Sequence, residues 1–375
     1  MGLSFPTRRG VVCLGLMLFG LVAGCQSSAG PDALESVNAG ATGAADAPPV
    51  ATQSFGSGPV RVDLFLDASI DANDYRDGAA LAVKDLGAGQ LTLTAHDLRA
   101  QGADAAGKIK QSAESGAKLL IGPPSLARAI ANGPSKAAAI LLGAEPANSA
   151  VAIQSDEIGA AIEVASYAAG AGLARIMAVS TRALTASEAQ RLKAGLKQGG
   201  AQLLDIVTDP TSADGETKLA HLGQAQAVLL IGADAPKVAA PALRQRGGLG
   251  ANVPFLGTFA WPASAYGEQA LDGSLLALVD QKALKRISTR FQAAYARPLS
   301  LEAAYGFDAV AVAAGIVRAK GQDGLDAAAL RTPSGFAGAT GVFRFKADGR
   351  VERRLAIYRL SGGKPVLQDG APSGF

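Results

Sequence analysis

Eight short apolar runs, in two sets of four and each followed by a stretch of helical period, constrain this chain more than any single motif. The first set is Val60–Leu66, 91–95, 118–121 and 139–142; the second is 175–179, 203–207, 228–231 and 254–256. Successive runs lie roughly 20–30 residues apart, about the size of a strand-helix-strand unit. Strands joined by helical crossovers pair in parallel, so the alternation predicts parallel sheets with helices on both faces. Two sets predict two lobes of similar architecture. From Pro59 to Phe375 the chain also exceeds the ~250–300 residues that one core organises. The expected fold class is therefore α/β, with two doubly wound parallel-sheet lobes, a hinge and an interlobe cleft.

The helices between the runs are legible. Tyr75, Ala79, Ala82, Val83 and Leu86 share one helical face. Thr185 and Glu188 form a capping box, and Gly199-Gly200 closes that helix. Leu284, Ile287, Phe291 and Tyr295 make a stripe that stops before Pro298. Residues 302–320 read as a further helix ended by Gly321. Near the C-terminus, Asp348-Gly349 is a hairpin turn signal between Gly341–Phe345 and 355–360.

The N-terminus predicts export. Arg8 and Arg9 precede an uncharged apolar run, 11–22, that is shorter than the ~20 residues a permanent membrane helix needs. It ends in Leu21-Val22-Ala23-Gly24-Cys25, which resembles the bacterial lipobox. The resemblance implies cleavage before Cys25, diacylglycerol on its thiol and acylation of the new amino terminus. More than one acyl chain gives stable anchoring. Residues 26–58 are rich in Ala, Gly, Ser and Pro and read as a flexible tether, with a reach on the order of 30 Å.

Several chemistries find no support. The two cysteines are Cys13, inside the signal, and Cys25, so the globular part has no thiol for a disulfide, a nucleophile or a metal. The formal charge is +3, and +1 once Arg8 and Arg9 are removed, which does not suit a nucleic-acid binder. No nucleophile elbow, phosphate loop or intact dinucleotide fingerprint is present. His96 and His221 stand apart and outside any metal-binding pattern. Asp67, Asp71, Asp74 and Asp77 lack the spacing of a calcium loop; three of them crowd the start of the following helix, where their expected role is to cap it. No enzyme activity, cofactor or metal is expected.

Candidate ligand residues follow from the fold class. In open α/β sheets ligands sit beyond the carboxyl ends of strands, and several predicted strands end there in glycine: Gly122, Gly143, Gly232 and Gly257. Ser69, Ser125, Asn148, Thr181, Thr258 and Trp261 all fall in or beside such strand-end loops. Ser125 precedes a predicted helix, whose free N–H groups suit an anion. Trp261, the only tryptophan, is expected either to stack on a ligand or to cover the hinge.

From Val60 to Phe375 the chain resembles the type I periplasmic-binding-protein fold, in its leucine/branched-chain amino acid receptor branch. The resemblance rests on Asp77-Gly78-Ala79-Ala80-Leu81-Ala82-Val83, on Leu120-Ile121-Gly122-Pro123-Pro124-Ser125, on Ala304-Tyr305-Gly306-Phe307-Asp308-Ala309-Val310-Ala311, and on 335–341 before Phe343-Arg344-Phe345. Leu256-Gly257-Thr258 with Trp261, the run 349–357 and Ala371-Pro372-Ser373-Gly374-Phe375 resemble proteobacterial lipoproteins called penicillin-binding protein activators. The likeness implies a lipid-anchored envelope protein facing the periplasm, in the outer membrane. It would bind a small molecule in its cleft or regulate a peptidoglycan synthase; as an alternative it would serve an ABC transporter permease for amino acids or other small solutes. The lobes implied are 59–148 with 262–337 and 149–261 with 338–367, before a tail at 368–375.

The amino-acid site of that branch is incomplete here. Ser125 matches its serine loop, but Ala147 falls where a threonine would stand. No acid lies at 259–261 to receive an ammonium, and Arg182-Ala183-Leu184 replaces a Tyr-Gly pair. An amino-acid zwitterion would bury unpaired charge, so free branched-chain amino acid binding by the usual geometry is not expected.

Overall fold

The computed structural model describes residues 52–99, 104–131, 137–208 and 212–375. Cys25, the signal and most of the tether lie outside the described residues.

The first sheet opens with β1 (Thr52–Gly56) and β2 (Val60–Leu66), followed by α1 (Ala72–Ala82), β3 (Leu91–Asp97), α2 (Ala105–Glu114), β4 (Leu119–Gly122), α3 (Leu126–Ala131), β5 (Ala138–Leu141) and β6 (Val151–Ala152). Its order is β1-β3-β2-β4-β5-β6, parallel throughout except for β1, which runs antiparallel to β3. Six of the seven residues of β2 are buried, as a strand covered on both faces requires. The N-terminal edge corrects the tether: 52–56 form a strand, because Gln53, Ser54 and Phe55 find a free backbone edge on β3.

The second sheet begins after α4 (Glu157–Gly170). It comprises β7 (Arg175–Ser180), α5 (Ala186–Gln198), β8 (Gln202–Val207), α6 (Ala213–Leu219), β9 (Ala227–Ile231), α7 (Ala235–Arg246), β10 (Phe255–Thr258) and β11 (Leu275–Leu278). The chain then returns to the first sheet, where α8 (Gln281–Tyr295) and α9 (Leu301–Lys320) pack against α1. Three short antiparallel strands follow: β12 (Phe336–Gly338), β13 (Gly341–Phe345) and β14 (Val351–Arg353). The chain ends with β15 (Ala356–Ser361) and β16 (Lys364–Asp369), which complete the second sheet in the order β16-β15-β11-β10-β9-β7-β8.

Two expectations are corrected. Residues 262–278 belong with the second lobe and not the first. The Leu275–Leu278 run pairs in parallel with β10, and Trp261, Tyr266 and Leu271 lie in the core under the second sheet. The Asp348-Gly349 turn joins β13 to β14; β15 leaves for the second sheet, because its apolar face is needed there beside β11.

Two features join the sheets to their surroundings. Helices α1 and α9 meet through glycines: a Cβ on Gly78 would lie 1.8 Å from the Ala303 carbonyl oxygen, and one on Gly306 2.3 Å from that of Tyr75. Arg353 forms a bolt where the chain passes between sheets. Its guanidinium faces Asp308 at 3.4 Å, donates to the Ile153 carbonyl at 2.7 Å and to Ser155 Oγ at 3.1 Å, and also donates to Thr340. It lies between the rings of Tyr305 and Phe343, 5.2 and 4.6 Å from their centroids. Asp308 is wholly buried and also accepts from Ala339 N–H; burial pushes its carboxyl upward while Arg353 pulls it back.

Candidate ligand-binding site

The strand-end loops of the first lobe are drawn together by a carboxylate. β2 ends at Leu66, and Asp67 follows at once. Ser69 donates to Asp67 Oδ1 through both its N–H, at 2.9 Å, and its hydroxyl. Ser125, from the loop after β4, donates its hydroxyl to Asp67 Oδ2 at 2.8 Å. Ser69 and Ser125 are exposed, so the cluster lies at the surface. Asn148, after β5, takes a left-handed backbone with φ 54° and donates through Nδ2 to the Ala127 carbonyl at 2.9 Å.

The carboxylates expected to cap a helix therefore divide in role. Asp71 caps α1 by accepting from Asp74 N–H. Asp74 and Asp77 receive Arg297, reaching across from beyond α8. Asp67 does none of this; its partners are the two serines.

The second lobe repeats the arrangement. Thr181, after β7, donates its hydroxyl to Asp234 at the start of α7, and its N–H bonds the Ile231 carbonyl at 3.0 Å. The close approach requires Gly232, where a Cβ would lie 2.3 Å from Thr181 Oγ1 and φ is +114°. Glu157 accepts from Gly232 N–H at 2.7 Å and from Arg182 Nε at 3.1 Å. Arg182 also bonds Glu188 at 2.8 Å, which holds the Glu188 carboxyl down at about 2.

The last two candidates point inward. Thr258 is fully buried and accepts from Ala260 N–H. Trp261 is also 0% exposed; it bonds the Leu230 carbonyl through Nε1 at 3.3 Å and covers Gly257, where a Cβ would meet its ring at 2.5 Å. The expectation that Trp261 stacks on a ligand is corrected: its ring fills the second core. Sequence reading missed Asp67 and Asp234 as site residues. Their signal was position, an acid at the end of one strand and another two residues past Gly232.

A separate cavity of about 760 Å³ lies between α4, α5 and the β13–β14 hairpin, lined among others by Asp156, Glu163, Arg191, Arg350 and Arg354. None of the six candidates lines it. Its arginines are engaged: Arg191 with Asp156, Arg350 with Glu145, and Arg354 with the Gly374 carbonyl and the Phe375 ring. Among the described residues no group of three His, Cys, Asp or Glu could hold a metal, and no helix is long and apolar enough to cross a membrane.

No family model and no curated protein matches the sequence. Solved structures do match. A protein of Rhodospirillum rubrum described as a branched-chain amino acid ABC transporter superposes with a TM-score of 0.65 at 18% identity, covering 82% of this chain and 99% of that one. The chain has the type I periplasmic-binding-protein fold. An ABC-type branched-chain amino acid transporter protein of Rhodopseudomonas palustris matches at TM-score 0.61 and 14% identity, over 83% of this chain and 95% of its own. An ABC transporter substrate-binding protein of Desulfitobacterium hafniense in complex with Leu matches at 0.57 and 16%, over 82% and 99%.

Proposed function

We propose that this chain is a non-enzymatic solute receptor of the bacterial envelope. Two lobes close on a small solute in the gap between their strand-end loops and present it to a membrane transporter. The observation that carries the reading is the duplication of polar strand-end clusters, Asp67 with Ser69 and Ser125 in one lobe and Asp234 with Thr181 in the other. The carboxyl ends of parallel strands are where this architecture takes ligands. The similar proteins of R. rubrum, R. palustris and D. hafniense support transport as the setting. Lipidation at Cys25 would tether the receptor to a membrane on the periplasmic side.

A second reading has its own support. Ser69, Ser125, Asn148, Thr181, Thr258 and Trp261 all have partners within the chain. That favours an adaptor that regulates a peptidoglycan synthase through its surface, in the manner of the penicillin-binding protein activators that it resembles.

A thermal-shift screen of the full-length chain against amines, sugars, amino acids, peptides and muropeptides tests the choice. A solute at 100 times its dissociation constant should add about 2.7 kcal/mol of stability. If no solute shifts the melt while a peptidoglycan synthase co-purifies from envelope extracts, the adaptor reading replaces the receptor reading.

A further inference from the structure

We propose that Asp67 fixes the ligand class of the cleft: by taking up the hydroxyls of Ser69 and Ser125 it bars solutes that dock through a carboxylate, and the cleft takes a solute without one. This rests on the receptor reading above.

A serine hydroxyl has one hydrogen to give. Ser69 and Ser125 both give theirs to Asp67, and Ser69 adds its N–H. An incoming carboxylate has only acceptors; the N–H groups of Leu126, Ala127 and Arg128 at the start of α3 already bond the carbonyls of Pro123, Pro124 and Ser125, so it competes for those same hydroxyl hydrogens. It would have to displace a carboxylate that is already bound and then remain beside it. Two like charges that close, partly removed from water, disfavour each other.

The other lobe offers no compensation. The single hydroxyl hydrogen of Thr181 goes to Asp234, and the Gly232 N–H goes to Glu157. The strand-end loops 67–71, 123–125, 142–150, 181–185, 232–234 and 259–262 contain Asp67, Asp71, Glu145 and Asp234 as acids and Arg182 as their one basic residue. Arg182 is held between Glu157 and Glu188. A solute that brings hydrogens of its own, on hydroxyl, amide or ammonium groups, meets free lone pairs on these carboxylates instead.

The test is calorimetric titration of the full-length chain with L-leucine and with benzoate, for the wild type and for Asp67→Asn and Asp67→Ala. The wild type should bind neither at millimolar concentration. At least one variant should bind one of the two at least about tenfold more tightly than wild type, the low end of what a hydrogen bond to a charged group contributes. Adding Ser125→Ala to that variant should abolish the gain. Circular dichroism checks that each variant folds; Asn keeps the shape of Asp where Ala does not. The proposal is overturned if wild type binds leucine or benzoate as tightly as the variants, or if folded variants gain no carboxylate affinity. The first of these results would leave the receptor reading standing. Failure of every solute on the wild type, with a gain in the variants, would overturn the receptor reading and with it the solute class, and would leave only the exclusion of carboxylates by Asp67.

Discussion

At the scale of single residues, Arg353 and Gly257 carry the sharpest expectations. Arg353 is buried against a buried carboxylate. Replacing it by Met leaves Asp308 without its counter-ion, a change that costs about 3–5 kcal/mol. The Asp308 carboxyl is already pushed above its usual range in the folded protein, so its protonated form is the one folding favours. That contribution is present in acid and is lost as pH rises through the folded value. Arg353→Met should accordingly recover part of its deficit as pH falls toward 4, read from urea midpoints. A deficit that stays constant with pH would contradict the pairing. Glu188 has the opposite sign. Its carboxyl is held at about 2 against a usual 4.5, so its contribution is full above about pH 4.5 and fades as pH falls toward 2. The pair is partly exposed and is worth only about 0.5 kcal/mol; Glu188→Gln should flatten that acid limb by about this amount and leave the neutral-pH midpoint nearly unmoved beyond it. Gly257→Ala would push a methyl into the Trp261 ring and Leu276. Overpacking of this kind costs about 1–3 kcal/mol, and Trp261 emission should shift to the red as the ring is displaced. Residue roles were only half legible in the sequence. Thr185 and Glu188 declared themselves, because a capping box is local and its spacing is fixed. Asp67 did not, because its partner Ser125 is brought to it by the pairing of β2 with β4, and no local pattern records that pairing.

At the scale of elements, the helix crossing explains two sequence motifs at once. Gly78 in the 77–83 motif and Gly306 in the 304–311 motif sit where α1 and α9 approach closest. Neither motif needs a ligand to account for its glycine. Gly78→Ala places a methyl against backbone that cannot move aside, and should cost about 3 kcal/mol. The matching change of an open glycine, Gly315→Ala in the same helix α9, should be neutral or stabilising by about 0.5–1 kcal/mol, since nothing lies within reach of its Cβ. Equal losses at the two sites, measured by thermal melting, would contradict the crossing. Most of the eight expected strands were readable because parallel strands buried on both faces are short apolar runs, while β3 showed itself by alternation. The outer strands β1 and β16 were not readable. β1 reads Thr-Gln-Ser-Phe-Gly and β16 reads Lys-Pro-Val-Leu-Gln-Asp, and each is defined by the neighbour it pairs with. β11, though apolar, was not among the expected strands, and the irregular stretch before it hid which sheet 262–278 join.

At the scale of the whole molecule, the chain passes between the sheets near 153–156, again at 279–280, and a third time through the small β12–β14 sheet before β15. Arg353 touches Ile153 and Ser155 at the first passage and Thr340 at the third. Arg353 thereby ties the first and third passages to each other, beside an apolar core that runs from the first sheet into the second. The loops that carry Asp67 and Asp234 belong to different lobes, and the proposed receptor would close to bring both to one solute. Lipidation would leave this motion unaffected, and mass spectrometry of the exported protein should find an acylated Cys25 at the new amino terminus; an unmodified terminus elsewhere would remove the anchor from the account. Closure itself is the most direct test of a receptor. Small-angle X-ray scattering of the full-length chain should show a smaller radius of gyration when the solute returned by the thermal screen is added at saturation. Scattering curves that superpose with and without saturating solute would contradict the proposal that the two lobes close on their ligand.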